Sequence, residues 1–366
     1  MWNDTAFTRL LALRYPIVQG PFGGGFSSAR LTATISNAGG LGSFGAQGQS
    51  PARMRAIVDD IRELTAAPFV VNLWVSTDDE AARTSSRGDY EAALRPLASI
   101  FEELGVSPPA YPFAAWPSFG DQVDALIAAQ PPIISFIFGI PPTAVLDRCR
   151  RHGIVTMGVA TTPQEARAFE EAGVDVVVAS GFEAGGHRAS FMRSPGSSLT
   201  GTFALVPQVV DAVKIPVVAA GGIADARGVA AALTLGAHGA QIGTAFLACE
   251  ESNAPAIHKD VLHGPLVAQT ALTTGFSGRL ARGVRNALTR LYDDPAVPRL
   301  PYPLQGQLVG ALRERAIALG RVDLISLWSG QAAPLVHHHH AAELFADLVE
   351  GTQAIFEGRR GTTDRS

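Results

Sequence analysis

Residues 174–190 read VDVVVASGFEAGGHRAS, and the reading of the fold starts from them. Val174–Ala179 is apolar and β-branched, the composition of a strand buried on both faces. It opens into Gly181, Gly185 and Gly186, with His187 directly behind. Glycines let backbone N–H groups approach an anion closely, and a histidine on the same lip can exchange a proton near neutral pH. Alone, the stretch also reads as an ordinary βα turn with a surface histidine. Two matching strand-ends further along weigh against that plainer reading.

Seven other runs share the apolar character: Pro16–Pro21, Leu41–Ala46, Phe69–Val75, Ile133–Gly139, Ile154–Ala160, Ile215–Gly222 and Gly239–Phe246. Helical patterns separate nearly all of them. Ser28–Ala38 carries Leu31, Ile35 and Ala38 on one side. Ser50 caps a helix toward Leu64, with Pro51 at its first position. Others cover Asp121–Ala129, Ala144–His152, Phe203–Val213 and Ala224–Leu235. Thr162 caps Pro163–Ala172, and Glu165 three residues on completes the pattern of a capping box. Short buried runs alternating with helices imply a parallel sheet, and eight such units are the count of an α/β (β/α)8 TIM barrel. A doubly wound open sheet usually carries its phosphate fingerprint after the first strand. Here the glycine pairs follow the sixth to eighth, which favours the barrel.

Residues 76–118 break the rhythm with a polar stretch, a helix near Tyr90–Leu104 and a Pro- and aromatic-rich segment, read as an insertion over one end of the fold. From Asn253 onward helical pieces alternate with loops and no further strand series is expected. The chain therefore divides into a barrel over residues 1–252, a helical lid or substrate region over 253–340, and a closing helix with a mobile tail over 341–366. The closing helix is read as Ala341–Phe356.

The 366 residues are 47% hydrophobic and 17% charged, which places the chain among globular proteins. The formal charge is −4 and no basic block stands out, which argues against nucleic acid as a partner. Cys149 and Cys249 are the only cysteines, so neither a disulfide framework nor a thiolate metal site is expected. The start lacks a basic segment followed by a long apolar one, and no apolar run approaches the ~20 residues of a membrane span. A cytoplasmic location is the default, with no membrane partner.

In a barrel, phosphate is often held after strands seven and eight. Those ends are Gly221-Gly222-Ile223 and Gln241-Ile242-Gly243-Thr244. The amides of Gly221 and Gly222, at the start of the next helix, can hold a dianion. Gly243 adds an amide and Thr244 a hydroxyl. With Gly185, three adjacent strand-ends converge on one phosphate; otherwise these small residues merely close the barrel top. Asn72 and Gln19 are polar within apolar strands, and each either meets a ligand or bonds a neighbouring strand. Asp225 is read as support for the helix after it. Trp328 and Gln331 either pack near the site or belong to the core. Arg279, Arg282 and Arg285, spaced by three, share a helix face in this reading. His337–His340 is read as a solvated helix start rather than a metal site.

These residues also resemble a known family. PIVQGPFGGG, SNAGGLGSFGA, VNLWV, SGFEAGGHR, PVVAAGGIAD, QIGTAFLACEES, TTGFSGRLARGVRN and LWSGQ are similar to stretches of the nitronate monooxygenases, formerly called 2-nitropropane dioxygenases, over about Pro16 to Leu348. The resemblance implies a flavoprotein oxidoreductase with FMN at the mouth of a TIM barrel. It implies FMN contacts at Asn72, Ser180, Gly185, Gly186, Gly221, Gly222, Gln241, Gly243 and Thr244, with Gly20, Pro21 and Phe22 along the isoalloxazine. His187 is implied as the catalytic base or hydrogen-bond donor toward the nitro or nitronate group. The implied reaction oxidises an alkyl nitronate such as propionate 3-nitronate with O2 to a carbonyl compound and nitrite, without a nicotinamide. Tyr302 is a candidate for meeting the substrate carboxylate. Two departures stand out: Gly20-Pro21-Phe22 replaces the family's Ala-Pro-Met, and Ser180-Gly181 replaces Gln-Gly. Near relatives that use NAD(P)H, the flavin-dependent enoyl-ACP and quinone reductases, share the Gly-Gly-His element and form the alternative. The expected partners are a small-molecule substrate and O2; a homodimer is allowed but not specified.

Overall fold

The computed structural model describes residues 1–76, 80–114 and 116–358. The strands in chain order are β1 Ile17–Gln19, β2 Gly42–Gly45, β3 Phe69–Trp74, β4 Ile133–Ile137, β5 Val155–Ala160, β6 Val176–Ser180, β7 Gly186–His187, β8 Val217–Ala220, β9 Gly239–Ile242, β10 Thr270–Thr273 and β11 Ala281–Val284. Eight of them form one sheet in the order β1-β9-β8-β6-β5-β4-β3-β2, and every pairing in it is parallel. A parallel bridge between Val18 and Leu41 closes the ring, with Leu41 N–H donating to Ile17 O at 2.9 Å and Gln19 N–H to Leu41 O at 3.0 Å. This is the expected (β/α)8 barrel.

Alternating inward side chains fill the ring. Val18, Val70, Ile133, Met157, Val176, Val178 and Val218 form a packed column, and Phe7 and Leu11 of the helix Ala6–Leu11 plug its lower end. Burying each such side chain contributes roughly 1.5–3 kcal/mol. A second, larger cluster lies between the strands and the outer helices, where Ile57, Phe169, Val206 and Val229 are buried.

Several helix starts follow local chemistry. Ser28 accepts from Leu31 N–H and Ser50 from Arg53 N–H, with Pro51 first in its helix. Asp225 caps Ala226–Thr234 by accepting from the amides of Arg227 and Gly228. One cap differs from expectation. Thr162 accepts from Glu165 N–H, but the Glu165 carboxylate does not complete a capping box. Its Oε2 accepts from Thr161 N–H at 2.6 Å and Thr161 Oγ at 2.7 Å, and its Oε1 from the amides of Phe191 and Met192 at 2.8 and 3.1 Å. A buried carboxylate satisfied by a distant loop gains more than one shared at a helix tip.

Two boundaries also move. The last barrel strand ends at Ile242, and Thr244–Leu247 is helical rather than strand, because Gly243 turns the chain at the barrel rim. The region after Asn253 is not free of strands: β10, β11 and β7 form a three-stranded antiparallel sheet. Glycine and arginine interrupt the apolar alternation in Ala281–Val284, and the partner strand Gly186–His187 lies in a distant loop, so the local pattern carries no strand signal.

The helix Ala341–Phe356 runs as expected and packs against Ala226–Thr234 and Ala29–Asn37. It therefore fills the place of the eighth outer helix, and residues 253–340 interrupt the last β/α unit. In the 76–118 stretch, helices cover Arg87–Leu94 and Ala98–Leu104, and Tyr90, Tyr111 and Phe113 pack as an aromatic cluster. Residues 77–79 and 115, and the tail from 359, lie outside the described residues. Among the described residues, no helix is long and apolar enough to cross a membrane.

Candidate active site

The C-terminal ends of the barrel strands open into a cavity of about 380 Å³. That is within the range of small-ligand sites. Gly20, Pro21, Phe22, Asn72, Ser180, Gly185, Gly186, His187, Gly221, Gly222, Gln241, Gly243 and Thr244 all line it. Residues that follow β1, β6, β8 and β9, with Asn72 of β3, thus meet in one chamber.

One wall is a backbone cradle. Gly221 and Gly222 adopt φ of 100° and 73°, a left-handed geometry that favours glycine. The N–H groups of Gly221, Gly222 and Gly243 donate to no acceptor among the described residues. A Cβ placed on Gly243 would meet nothing within 4 Å, so the cradle is open there. Thr244 Oγ accepts from Gly330 N–H at 2.9 Å, which leaves its own proton for a ligand oxygen. Unpartnered amides around an open space fit a phosphate, and so fit the phosphate end of FMN.

The 326–335 segment is joined to the barrel behind this cradle. A Cβ on Gly185 would lie 2.6 Å from Gly330 N, so the backbone at Gly330 passes directly over it. Gln331 does not line the cavity; its N–H donates to Glu183 O at 2.9 Å. The Glu183 carboxylate accepts from Thr202 N–H and Oγ at 2.9 Å. Arg188, 4% exposed, donates from Nε to Ser198 O at 2.9 Å and from its guanidinium to Ser180 O. Burial lowers its pKa to about 10, with Glu165 and Glu183 opposing the fall, so it stays charged at neutral pH. Sequence reading passes over Arg188 because one arginine beside a glycine motif carries no signal of burial.

His187 lines the same cavity. Pairing of β7 with β11 fixes its backbone. Its ring is enclosed by Trp328, Trp74, Tyr302 and Phe138, at centroid distances of 5.1, 5.3, 5.7 and 6.0 Å. Burial first, and the positive charge of Arg279 second, push its pKa down to about 3. The imidazole is therefore neutral at physiological pH. Its Nε2 lies 2.7 Å from Ser277 Oγ, a hydrogen bond that orients the ring. Sequence reading does not single out Ser277, Trp74 or Phe138, although Trp74 and Ser277 sit inside the motifs VNLWV and TTGFSGRLARGVRN.

Several ambiguous residues find their place. Asn72 lines the cavity and also bonds its neighbour strand, with Nδ2 donating to Ser135 Oγ at 2.9 Å. Gln19 is structural: it is fully buried, and its Oε1 accepts from Ser43 N–H at 2.9 Å. Tyr302 and Trp328 line the cavity, joined by Trp116 from the 76–118 stretch. The three arginines do not share a helix face, because β11 runs through them. Arg279 lies 4.2 Å from the Phe138 ring centroid; Arg282 donates from Nε to Phe182 O at 3.0 Å; Arg285 pairs with Asp293. In the histidine run, the ring of His339 stacks on His263 with centroids 4.0 Å apart, and His340 faces Glu250 at 3.7 Å.

An anion cradle on the strand-ends that shares one cavity with a neutral histidine is the arrangement of a ligand-binding (β/α)8 barrel. A profile of the nitronate monooxygenase family matches residues 4–351. The chain belongs to that family, and so to the oxidoreductases. A nitronate monooxygenase of Pseudomonas aeruginosa is 43% identical, the alignment covering 94% of this chain and 98% of that protein. A probable nitronate monooxygenase of Staphylococcus aureus is 36% identical over 98% of this chain and 99% of its own. Among solved structures, nitroalkane oxidase from Streptomyces ansochromogenes superposes with a TM-score of 0.84 at 37% identity, covering 96% of this chain and 100% of that one. FabK from Thermotoga maritima superposes with a TM-score of 0.74 at 27% identity, covering 97% and 98%.

Proposed function

We infer that this chain oxidises alkyl nitronates with O2, using FMN, and releases a carbonyl compound and nitrite. The observation that carries the reading is the neutral His187, hydrogen-bonded to Ser277, in one cavity with the amide cradle. FMN, when bound, supplies the electron transfer and its own reoxidation by O2.

The chain's own residues supply position and protons. Gly185, Gly221, Gly222, Gly243 and Thr244 hold the phosphate; Gly20, Pro21, Phe22, Asn72, Ser180, Gly186 and Gln241 line the rest of the cofactor's place. Neutral His187 suits one task, donating a hydrogen bond from its protonated ring nitrogen to a nitronate oxygen; with its pKa lowered to about 3 it is a weak base toward a nitroalkane, so the preformed nitronate is the form it serves. The aromatic rings around it exclude water and strengthen that bond. Two free, buried thiols support a reducing compartment, the cytoplasm.

The test is oxygen uptake by flavin-reconstituted protein given propionate 3-nitronate, with NAD(P)H absent. Rapid uptake with nitrite formed is expected. The Gly185-Gly186-His187 element also fits an NAD(P)H-dependent flavin reductase. That second reading predicts bleaching of the flavin by NADH without any nitronate, and no uptake in the first experiment.

A further inference from the structure

One face of the chain from Tyr302 to Ile317 lines the active-site cavity from end to end. Tyr302, Gly306, Val309, Gly310, Arg313 and Ile317 all contribute to its wall. Their spacing of three or four is that of one helical face, carried by the helices Leu304–Gly310 and Arg313–Ala318. At the inner end the Tyr302 ring lies 5.7 Å from that of His187. In the middle the face carries two glycines. A Cβ on Gly310 would meet nothing within 4 Å, whereas one on Gly306 would touch Ser277 at 3.6 Å. The chain therefore offers open space at Gly310 and packs closely against Ser277 at Gly306.

At the outer end stands Arg313. Its guanidinium lies 4.7 Å from the Phe26 ring centroid, and Nη1 donates to Gly24 O at 3.3 Å. Among the described residues Arg313 forms no salt bridge, and no Asp or Glu lines the cavity. The neighbouring His258, buried among Phe26 and Trp328, is neutral at physiological pH and adds no second positive charge there. A partly desolvated cation beside an open chamber without carboxylates is a site for an anion.

We propose that this face is the substrate-tail wall and that Arg313 binds an anionic group, such as a carboxylate, at the far end of the tail. The proposal rests on the nitronate reading above, which places the reacting group beside His187. Tyr302 and Arg313 are eleven positions apart. At about 1.5 Å per residue along a helical path that is roughly 16 Å, shortened by the inward reach of both side chains. A three-carbon acid reaches both ends only where the two side chains close most of that span, whereas a medium-chain acid reaches them with less closure. The preferred substrates are therefore nitronates of medium-chain acids, with the nitro group and the carboxylate at opposite ends.

The experiment compares nitronates of 8-nitrooctanoate, 3-nitropropionate and 1-nitrooctane on flavin-reconstituted protein, by oxygen uptake. The nitronate of 8-nitrooctanoate is expected to show a KM about tenfold below that of 1-nitrooctane, the scale of one charge-assisted contact. Arg313→Met collapses that ratio, Arg313→Lys restores most of it, and Arg313→Glu inverts it. A ratio unmoved by Arg313→Met overturns the proposal, as does release of flavin from that variant, which makes Arg313 a cofactor anchor. If no nitronate is turned over, the nitronate reading falls instead. Octanoate binding, read by tryptophan fluorescence from Trp74, Trp116 and Trp328, then still tests Arg313: a Kd about tenfold weaker in Arg313→Met supports the anion site, and an equal Kd removes it.

Discussion

His187 Nε2 and Ser277 Oγ lie 2.7 Å apart, although ninety residues separate them in the chain. The bond ties the barrel's β6 loop to the lid and sets the direction of the imidazole. His187→Asn is expected to retain flavin and lose nitronate turnover by about 100-fold or more, the usual weight of a positioned acid–base group. Ser277→Ala is expected to cost about tenfold in kcat with little change in KM, and Ser277→Thr to recover part of it. Steady-state kinetics beside the flavin absorbance spectrum separate lost chemistry from lost cofactor. Unchanged turnover in His187→Asn removes the role assigned to that ring.

The cradle makes a sharper prediction at two glycines. Gly243→Ala meets no neighbouring atom within 4 Å, so the protein should fold with its thermal stability little altered. The added methyl group nevertheless stands in the opening beside the free amides. FMN affinity is expected to fall at least about tenfold, read by flavin fluorescence titration. Gly185→Ala brings a Cβ to 2.6 Å from Gly330 N, so it should disturb both lid seating and stability.

Two histidines with lowered pKa values link stability to pH. Burial lowers His187 to about 3 and His258 to about 4. Unfolded, each has its ordinary value near about 6.5, so below that pH the unfolded chain binds protons that the folded chain refuses. Stability is therefore full above about pH 6.5 and falls as the pH drops toward about 4, by on the order of a few kcal/mol. Urea titrations at about pH 7.5, 6 and 5 should show the midpoint falling in that order. In His258→Gln the fall should be shallower.

Glu165 joins the β5 end to the loop after His187 through four accepted hydrogen bonds. Glu165→Ala strands the buried donors of Thr161 and frees the amides of Phe191 and Met192, and is expected to cost roughly 3 kcal/mol. Glu165→Gln keeps an acceptor and should cost less. Chemical denaturation measures both; equal stability of Glu165→Ala and the native chain would contradict the bracing role.

Much of the barrel is legible because strand burial on two faces leaves an unbroken apolar run, as in Val176–Ser180 and Phe69–Trp74. The cradle glycines are legible for a related reason, since amides that face a ligand must lack side chains. The aromatic cage around His187 is not. Trp74, Phe138, Tyr302 and Trp328 come from four distant segments, and each alone resembles a core residue. The arginines at 279, 282 and 285 mislead because spacing by three suits a helix, while the β7–β11 pairing that makes a strand is non-local.

By itself the sequence determined the order of β/α units, the glycine strand-ends and the histidine behind them, because these follow from local composition and from the strand and helix periods. Only the tertiary structure decided that His187 is neutral, that Ser277 orients it, and that Arg313 faces a chamber free of carboxylates. Those properties depend on burial and on charges brought close across long separations, and local periodicity carries neither.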